Sequence, residues 1–500
     1  MSKFYLTTAI AYVNAAPHVG HALEFIQADI LARYHRLIGD DTYYLTGTDE
    51  HGVKIYETAK DKGVTAQELV DSNAKIFKSL EEILTLSNDG FVRTSDPAHK
   101  EACQKLWTKL QEKGDIYKDT YKGLYCVGCE AYVLEKDLDE NGHCPNHKKA
   151  PKVLEEENYF FKLSKYSDRI KEAIESDELL VRPLSRKKEI LNIIGEDGLM
   201  DVSFSRPKQQ LPWGVDVPGD DSQVMYVWCD ALSNYITAIG YESDNEKFNK
   251  YWPADAHIIG KDILRFHAGI WIGMLLSAEL PLPKAIYVHG FVTSEGQKMG
   301  KSLGNVVDPL EYVEKYGVDA VRYYLMREIP TMDDGDFSHD RFVSVVNSEL
   351  ANSLGNLVNR VLMMTDRYLD GKVPAVNGGE VKDQVFDFID QYHDAFENYD
   401  IKAACEVVVA LTNFANKYID DTKPWAMAKE ENPELSNVLS NLLEMLHVIA
   451  SCLSPILPTA AGKIKESLAG VDFSLEKKWG RLSEGSQIKT GDPLFPRIEE

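Results

Sequence analysis

The sequence has few cysteines and no long apolar segment. Its seven cysteines are odd in number and mostly isolated along the chain, which excludes the paired framework of a disulfide-stabilised domain. It also lacks a run of about 18 apolar residues, the length that a membrane-spanning helix needs. These two absences predict a cytoplasmic protein with no membrane-spanning segment.

Basic residues are scarce as well. The chain has 55 Lys and Arg against 79 Asp and Glu, a net charge of −24. A protein that coats DNA or RNA without selectivity has a basic surface, so this class is excluded. A nucleic-acid partner that is bound through a few local contacts remains possible.

What is present is the composition of a globular protein. Hydrophobic residues make up 44% and charged residues 27% of the chain, and these values are near the globular averages. At about 150 residues per domain, the 500 residues predict about three domains.

The N-terminal segment has the pattern of a β-α-β unit. Residues 4–8 favour a strand, residues 19–37 carry apolar side chains at helical spacing, and residues 42–45 favour a second strand. Such units imply a parallel sheet with right-handed crossovers. A second set lies downstream, with a strand at 257–259, a helix at 262–276 and a strand at 285–292.

The remaining patterns divide the chain into regions. Residues from about 115 to 224 are irregular and rich in Gly, Lys, Glu and Pro, whereas helical periodicity dominates after 341, as in 343–364 and 403–419, with a long interhelical loop at 371–379. We therefore predict a doubly wound parallel-sheet α/β domain in two halves (1–115 and 225–293), an insertion (116–224), a connecting region (294–340) and an all-α domain (341–500).

The first candidate site is His18-Val-Gly-His21, between a loop and a helix start. At i and i+3 the two imidazoles share one face of the first helical turn, and Gly20 leaves room for a ligand beside the backbone. A helix N-terminus after a strand favours a phosphate group. Taken alone, the motif is a weak signal, because two histidines near a helix start are more often solvent-facing or capping residues.

The second candidate site is Lys298-Met-Gly-Lys301-Ser302, after the strand predicted at 285–292. Two lysines three residues apart form a concentrated positive site, and lysine binds phosphate as a point charge. An ordinary exposed basic loop has the same appearance. The two motifs together, each after a parallel strand in a different half of the chain, favour a phosphate-binding enzyme.

Four metal-ligand residues form a third, independent signal. Cys126 and Cys129 make a C-x2-C pair, and Cys144 and His147 follow as C-x2-H. Three thiolates and one imidazole are typical of a closed, structural zinc site, the zinc knuckle of residues 121–150. Chance clustering is the alternative, and His143 is a rival for the role of His147.

The paired motifs resemble the HIGH and KMSKS signatures of class I aminoacyl-tRNA synthetases, with Val19 and Gly300 as departures. The chain is similar to the methionyl-tRNA synthetases over almost its whole length. The stretches that carry this similarity are Ala9-Ile-Ala-Tyr12, Thr48-Asp-Glu-His-Gly52, Tyr226-Val-Trp-Cys-Asp-Ala231, Gly260-Lys-Asp-Ile263 with His267, and Lys423-Pro-Trp425.

The resemblance implies roles for residues by position. It implies a Rossmann-type catalytic domain, a zinc-binding connective insertion, a KMSKS-type loop with a tRNA-stem contact region, and a helical anticodon-binding domain. The implied ATP site is His18, Gly20, His21, Asp262, Lys298, Lys301 and Ser302, of which the two histidines and two lysines are catalytic. The implied methionine site is Ala9, Ile10, Tyr12, Asp49, Trp228, Ala231, Tyr235, Ile263 and His267. The implied anticodon-reading residues are Asn356, Arg360 and Trp425.

Elementary chemistry is compatible with these roles. A thioether contacts aromatic rings well, an ammonium needs an acidic partner such as Asp49, and single-stranded bases are read by stacking and by Arg or Asn. Without the resemblance, Trp228, Tyr235 and Trp425 would be interpreted as core aromatics.

The resemblance thus implies a ligase that activates L-methionine with ATP and transfers it to initiator and elongator tRNA(Met), with one structural Zn²⁺ and with Mg²⁺ accompanying ATP. A small-molecule nucleotidyltransferase and a non-catalytic tRNA- or zinc-binding adaptor are the alternatives from other classes. Neither needs both phosphate motifs together with the zinc and anticodon residues. Some relatives dimerise through an extra C-terminal domain that this sequence lacks, so we expect a monomer.

Overall fold

The architecture was taken from a computed structural model of the chain. It describes residues 2–127, 131–133, 138–145, 148–294, 296–298, 307–376 and 378–499, and for residues 121, 122, 131, 132, 154–156 and 298 the backbone alone.

The strands, in chain order, are β1 Lys3–Thr8, β2 Ala11–Tyr12, β3 Asp41–Asp49, β4 Gly90–Arg93, β5 Ile116–Cys126, β6 Ala131–Val133, β7 Lys152–Phe161, β8 Leu180–Arg182, β9 Val202–Ser203, β10 Ser205–Pro207, β11 Asp216–Val217, β12 Asp220–Met225, β13 Ala256–Gly260, β14 Ala285–His289, β15 Val292–Ser294, β16 Gln297–Lys298 and β17 Gly335–Phe337.

The α-helices are α1 Val19–Leu37, α2 Val53–Lys62, α3 Ala66–Ile83, α4 Pro97–Glu112, α5 Ser167–Glu175, α6 Leu184–Ile194, α7 Val227–Leu232, α8 Asn234–Thr237, α9 Asn245–Tyr251, α10 Ile272–Ser277, α11 Pro309–Tyr316, α12 Val318–Glu328, α13 His339–Val345, α14 Asn356–Leu369, α15 Gly379–Glu397, α16 Ile401–Thr422, α17 Pro424–Lys429, α18 Leu435–Ile456 and α19 Pro458–Ser467. Short 3-10 turns lie at Leu163–Tyr166 and Lys261–Ile263, and π-helical segments at Phe266–Trp271 and Val346–Gly355.

A parallel sheet forms the centre of the N-terminal α/β region. Its strand order is β2-β3-β1-β13-β14-β8, and β4 also pairs with β3. Every pairing within it is parallel. Buried apolar residues fill the strands, as in β13 and β14, because helices cover both faces of such a sheet. The predicted fold class is therefore confirmed.

Strand β8 differs from the expected domain division. It falls inside the segment that we predicted as one insertion, residues 116–224, yet Val181 pairs with Ile286 of β14 in the central sheet. The separate part of that segment is the antiparallel sheet β6-β5-β7-β9 with its loops. A three-residue strand is too short to leave a periodic signal in the sequence.

Two elements predicted in the second half of the α/β region are interrupted. The helix predicted at 262–276 is a 3-10 turn, a π-helical segment and then α10. The strand predicted at 285–292 ends at His289, and β15 pairs instead with β16 and β17 in a small separate sheet. Gly290 follows directly, and the backbone of Asp333 lies so close to it that a Cβ at position 290 would be 2.2 Å from the backbone carbon of Asp333.

The C-terminal third is helical, as predicted. Helix α18 packs among α14, α15, α16 and α19 and also contacts α1 of the N-terminal α/β region. It is long and apolar enough to cross a membrane, but 94% of its most apolar window is buried inside the protein. Its composition is thus explained by its position in the core.

Candidate active site

A cavity of about 1260 Å³ opens at the carboxyl ends of β1, β3, β13 and β14. This edge of a doubly wound sheet is where ligands bind in such folds. All the predicted ATP- and methionine-site residues whose side chains are described line the cavity: Ala9, Ile10, Tyr12, His18, Gly20, His21, Asp49, Trp228, Ala231, Tyr235, Asp262, Ile263 and His267. Five separate sequence stretches are therefore brought to one place.

The two motif histidines cap the N-terminus of α1. The backbone N–H of Gly20 donates to Nδ1 of His18 at 3.1 Å, and the N–H of His18 donates to Nδ1 of His21 at 3.2 Å. Each Nδ1 is therefore an acceptor, so the ring hydrogen of each histidine lies on Nε2. Burial, reinforced by His18 and His289, lowers the pKa of His21 to about 3.

Gly20 serves this cap. A Cβ at position 20 would lie 2.9 Å from Cε1 of His18, closer than real Cβ contacts. The absent side chain makes room for the His18 ring, and Gly20 also lines the cavity; room for a ligand beside its backbone stays a prediction.

The methionine-site candidates contact one another through rings and hydrogen bonds. The Tyr235 hydroxyl bonds Nε2 of His267 at 2.6 Å, and Nδ1 of His267 bonds the carbonyl of Ile263 at 3.0 Å. A carbonyl only accepts, so Nδ1 carries the hydrogen and Nε2 accepts from Tyr235. Burial lowers the pKa of His267 to about 4, which keeps its ring neutral. Trp228 stacks on Phe266 with ring centroids 3.8 Å apart.

Sequence reasoning missed an ionisable pair in the cavity wall. Glu24 Oε2 lies 2.9 Å from Nε2 of His289, and both side chains are largely buried. Burial raises the pKa of Glu24. Burial alone would lower the pKa of His289, but the hydrogen bond to Glu24 and its charge raise this pKa overall. Glu24 follows His21 by three residues on α1, so helical spacing was the signal that could have identified it.

A second group that the sequence did not indicate is a buried cluster around Asp230, next in sequence to methionine-site candidates. Asp230 accepts from Nδ1 of His51 at 2.6 Å and from Nε2 of His99 at 2.8 Å. Cys103 lies beside them, and the ligand atoms of His99, Cys103 and Asp230 are within 4.8 Å of one another. His51 and Asp230 belong to two of the stretches that carried the resemblance.

Almost the whole chain is similar to known proteins. Residues 4–153 and 140–362 match the family "tRNA synthetases class I (M)", and residues 371–500 match "Anticodon binding domain of methionyl tRNA ligase". A methionine–tRNA ligase of Thermotoga maritima is 44% identical, over 99% of this chain and 80% of its own length. One of Brucella suis is 41% identical, over 100% of this chain and 98% of its own.

Solved structures agree with these relatives. A Mycobacterium tuberculosis methionyl-tRNA synthetase in complex with methionyl-adenylate is 38% identical, with a TM-score of 0.94 over 99% of this chain and 100% of that one. The chain belongs to the methionyl-tRNA synthetase family. It is thus a class I ligase that joins methionine to tRNA, as the sequence predicted.

The anticodon-site candidates of this synthetase chain lie close together. The Arg360 guanidinium lies 5.9 Å from the centre of the Trp425 ring, and it also pairs with Asp420 at 3.0 Å. Trp425 is 43% exposed, and Asn356 is exposed one helical turn before Arg360.

Some predicted residues lie outside the described part of this synthetase chain. Among the zinc-ligand candidates, Cys126 and Cys144 are buried, whereas Cys129 and His147 are outside the described residues. Lys301 and Ser302 are outside as well. Lys298 is described by its backbone, which pairs with Thr293.

Proposed function

We propose that the cavity at the sheet edge is where this chain forms methionyl-adenylate from L-methionine and ATP. The observation that carries the proposal is the convergence of every described ATP- and methionine-site candidate on one cavity. The methionine carboxylate attacks the α-phosphorus of ATP, and the bond to the bridging oxygen breaks to release pyrophosphate. The hydroxyl of the 3′-terminal adenosine of tRNA then attacks the methionyl carbonyl, and AMP leaves.

His18 and His21 act as hydrogen-bond donors in the first step. Their Nδ1 atoms accept backbone N–H groups, so Nε2–H is the donor that each ring offers to the α-phosphate and the leaving pyrophosphate. A donor that is fixed before the reaction stabilises the developing charge without reorganisation. Lys298 and Lys301, with Ser302, would contact the β- and γ-phosphates. Mg²⁺ arrives with the phosphates of ATP, and we assign it no protein ligand.

The methionine side chain would lie among Tyr12, Trp228, Tyr235 and His267, with its ammonium at Asp49. Neutral His267 fits an uncharged thioether better than a cation would. Ala9, Ile10, Ala231 and Ile263 supply the apolar remainder of the wall. Asp262, beside Gly260, would contact the ATP side of the cavity.

The helical domain would read the anticodon of initiator and elongator tRNA(Met). Trp425 offers a face for base stacking, and Arg360 and Asn356 offer hydrogen bonds to base edges. The Arg360–Asp420 pair is an exposed ion pair, so breaking it on RNA binding costs little.

A structural zinc ion would be held by Cys126, Cys129, Cys144 and His147. The described part of this set fits a metal, because Cys126 and Cys144 are buried and soft thiolate ligands suit zinc. Zinc would hold the connective sheet together and takes no part in the reaction. A cytoplasmic location, in which such thiols stay reduced, belongs to the same proposal; the monomeric state stays a prediction.

The test is ATP–pyrophosphate exchange with a panel of amino acids, using the purified chain. We expect methionine alone to support rapid exchange. In the Asp49→Asn variant the Michaelis constant for methionine should rise tenfold or more, since the ammonium loses its charged partner. Exchange that methionine does not stimulate, or an unchanged constant in Asp49→Asn, would contradict the assignment of the cavity.

A further inference from the structure

Asp230 is a fully buried carboxylate held between two histidines from distant parts of the chain. His51 follows β3, His99 lies in α4, and Asp230 lies in α7. The three side chains are at most 2% exposed. Burial alone would raise the pKa of Asp230, but the two histidines lower it to about 2. The carboxylate is therefore ionised and depends on these donors for its neutralising contacts.

The geometry is that of hydrogen bonds. The donor–acceptor distances of 2.6 Å and 2.8 Å are shorter than the separation of about 3.3 Å that two ligands of a tetrahedral metal with bonds near 2.0 Å would have. Nε2 of His51 is buried and has no hydrogen-bond partner among the described residues. The hydrogen of His51 therefore lies on Nδ1 and is donated to Asp230.

His51 also contacts Asp49, which lines a different part of the cavity from the residues of α7. Its backbone N–H donates to Oδ1 of Asp49 at 3.4 Å, the carboxylate assigned to the methionine ammonium. The loop that carries it is fixed from behind, because the Trp213 indole donates to the carbonyl of Glu50 at 2.6 Å. One residue thus bonds Asp49 through its backbone and Asp230 through its ring.

Asp230 in turn determines where α7 lies. This helix has six residues, too few to be stable without tertiary contacts. Trp228 and Ala231, on either side of Asp230 in the sequence, line the cavity. A displacement of Asp230 would therefore move two walls of the methionine site together.

We propose that His51 is a positioning residue for methionine, whose ring bond to Asp230 holds α7 against the loop of Asp49 and so sets the distance between the two walls of the amino-acid site. The ATP side of the cavity, built on α1, β13 and β14, does not depend on this bond. This inference rests on the proposed methionine site.

The test compares two substitutions at one position. His51→Leu removes the donor, whereas the Nδ2–H of His51→Asn can occupy the position of Nδ1–H. We expect His51→Leu to weaken methionine binding tenfold or more, measured by calorimetry per active site, with less than a threefold change in the Michaelis constant for ATP. His51→Asn should recover most of the affinity.

A merely structural role gives a different result. The matched control is Asp319→Asn, at another buried carboxylate, which accepts from the N–H of Ala460 far along the chain. Both variants should lose stability, but only the change at His51 should alter methionine affinity. Unchanged affinity in His51→Leu, or equal losses for methionine and ATP, would overturn the proposal.

Asp230→Asn keeps the test decisive if His51→Leu does not fold. The amide has nearly the same shape as the carboxylate, but it is uncharged and has one acceptor oxygen instead of two for the two histidine donors. Methionine affinity should therefore fall in this variant as well. Normal affinity would overturn the proposal. The Asp49→Asn variant distinguishes a failure of the methionine-site assignment from a failure of the positioning role of His51. If this variant binds methionine normally, the site assignment is wrong. If it binds methionine weakly while His51→Leu binds it normally, only the positioning role is wrong.

Discussion

The replacement of Arg322 by methionine should destabilise the chain strongly. Arg322 lies in α12 and is fully buried. Its guanidinium donates to Oδ2 of Asp29 at 2.7 Å, to the carbonyl of Leu84 at 2.9 Å, and to the carbonyls of Ile456 and Pro455 at 2.8 Å and 3.0 Å. These acceptors belong to α1, to the end of α3 and to the end of α18. One side chain thus joins the sheet domain to the helical domain.

The magnitude follows from what the substitution leaves behind. Burial alone would raise the pKa of Asp29, but Arg322 and Arg33 lower it, so Asp29 stays ionised. After Arg322→Met it keeps Arg33 at 2.8 Å and Ser87 but loses one cation, and three buried carbonyls lose their donor. Removing one partner of a buried ion pair costs about 3–5 kcal/mol. The residual contact with Arg33 places the expected loss near the lower end, at about 3 kcal/mol.

The assay is urea unfolding followed by circular dichroism and by loss of exchange activity. It uses the wild type, Arg322→Met, Asp29→Asn and the double variant. Since the two residues share one bond, the double variant should lose at least 1 kcal/mol less than the sum of the single losses. A loss below about 1 kcal/mol in Arg322→Met, typical of an exposed pair, would refute the reasoning. Additive losses would refute the pairing with Asp29.

Two further predictions concern the cavity and the helical domain. Burial lowers the pKa of His267 from 6.5 to about 4. As the pH falls below 6.5, His267 is therefore protonated in the unfolded chain before it is protonated in the folded chain. The stability that this residue contributes is complete above pH 6.5 and falls as the pH drops towards about 4. His267→Gln should remove that part of the pH dependence in thermal unfolding, and an unchanged profile would contradict it. Trp425→Ala should leave pyrophosphate exchange unchanged but lower tRNA charging tenfold or more, because base stacking is worth about 1–3 kcal/mol; equal loss in both assays would contradict its place at the anticodon.

The sequence was sufficient for the fold class and the family because their signals are local. The helix predicted at 19–37 begins and ends as observed, since apolar spacing, the His18 cap and the Gly39 stop all lie in one segment. The residues predicted for the cavity converge because parallel strands bring their carboxyl ends to one edge. Short motifs that follow the strands of a parallel sheet are therefore sufficient to predict which residues line a cavity at its carboxyl edge.

What the sequence did not predict depends on pairs of distant residues. His51 and Asp230 are 179 positions apart, and Arg322 and Asp29 are 293 apart. Neither pair has a periodic signal, because a buried ion pair is defined by what the fold brings together. The close approach of Asp333 to Gly290 also joins distant positions, and it is visible in the folded chain alone.

Helix α1 connects these observations. It has 19 residues and is therefore about 28 Å long at 1.5 Å per residue. His18 and His21 stand at its first turn, Asp29 binds Arg322 in its middle, and Tyr34 near its end stacks on Phe396 of α15 at 3.9 Å. His18 and His21 are thus carried by a helix whose other half is part of the interface with the helical domain. Because a hydrogen-bonded helix is stiff over this length, the position of the two histidines depends on that interface as well as on the sheet.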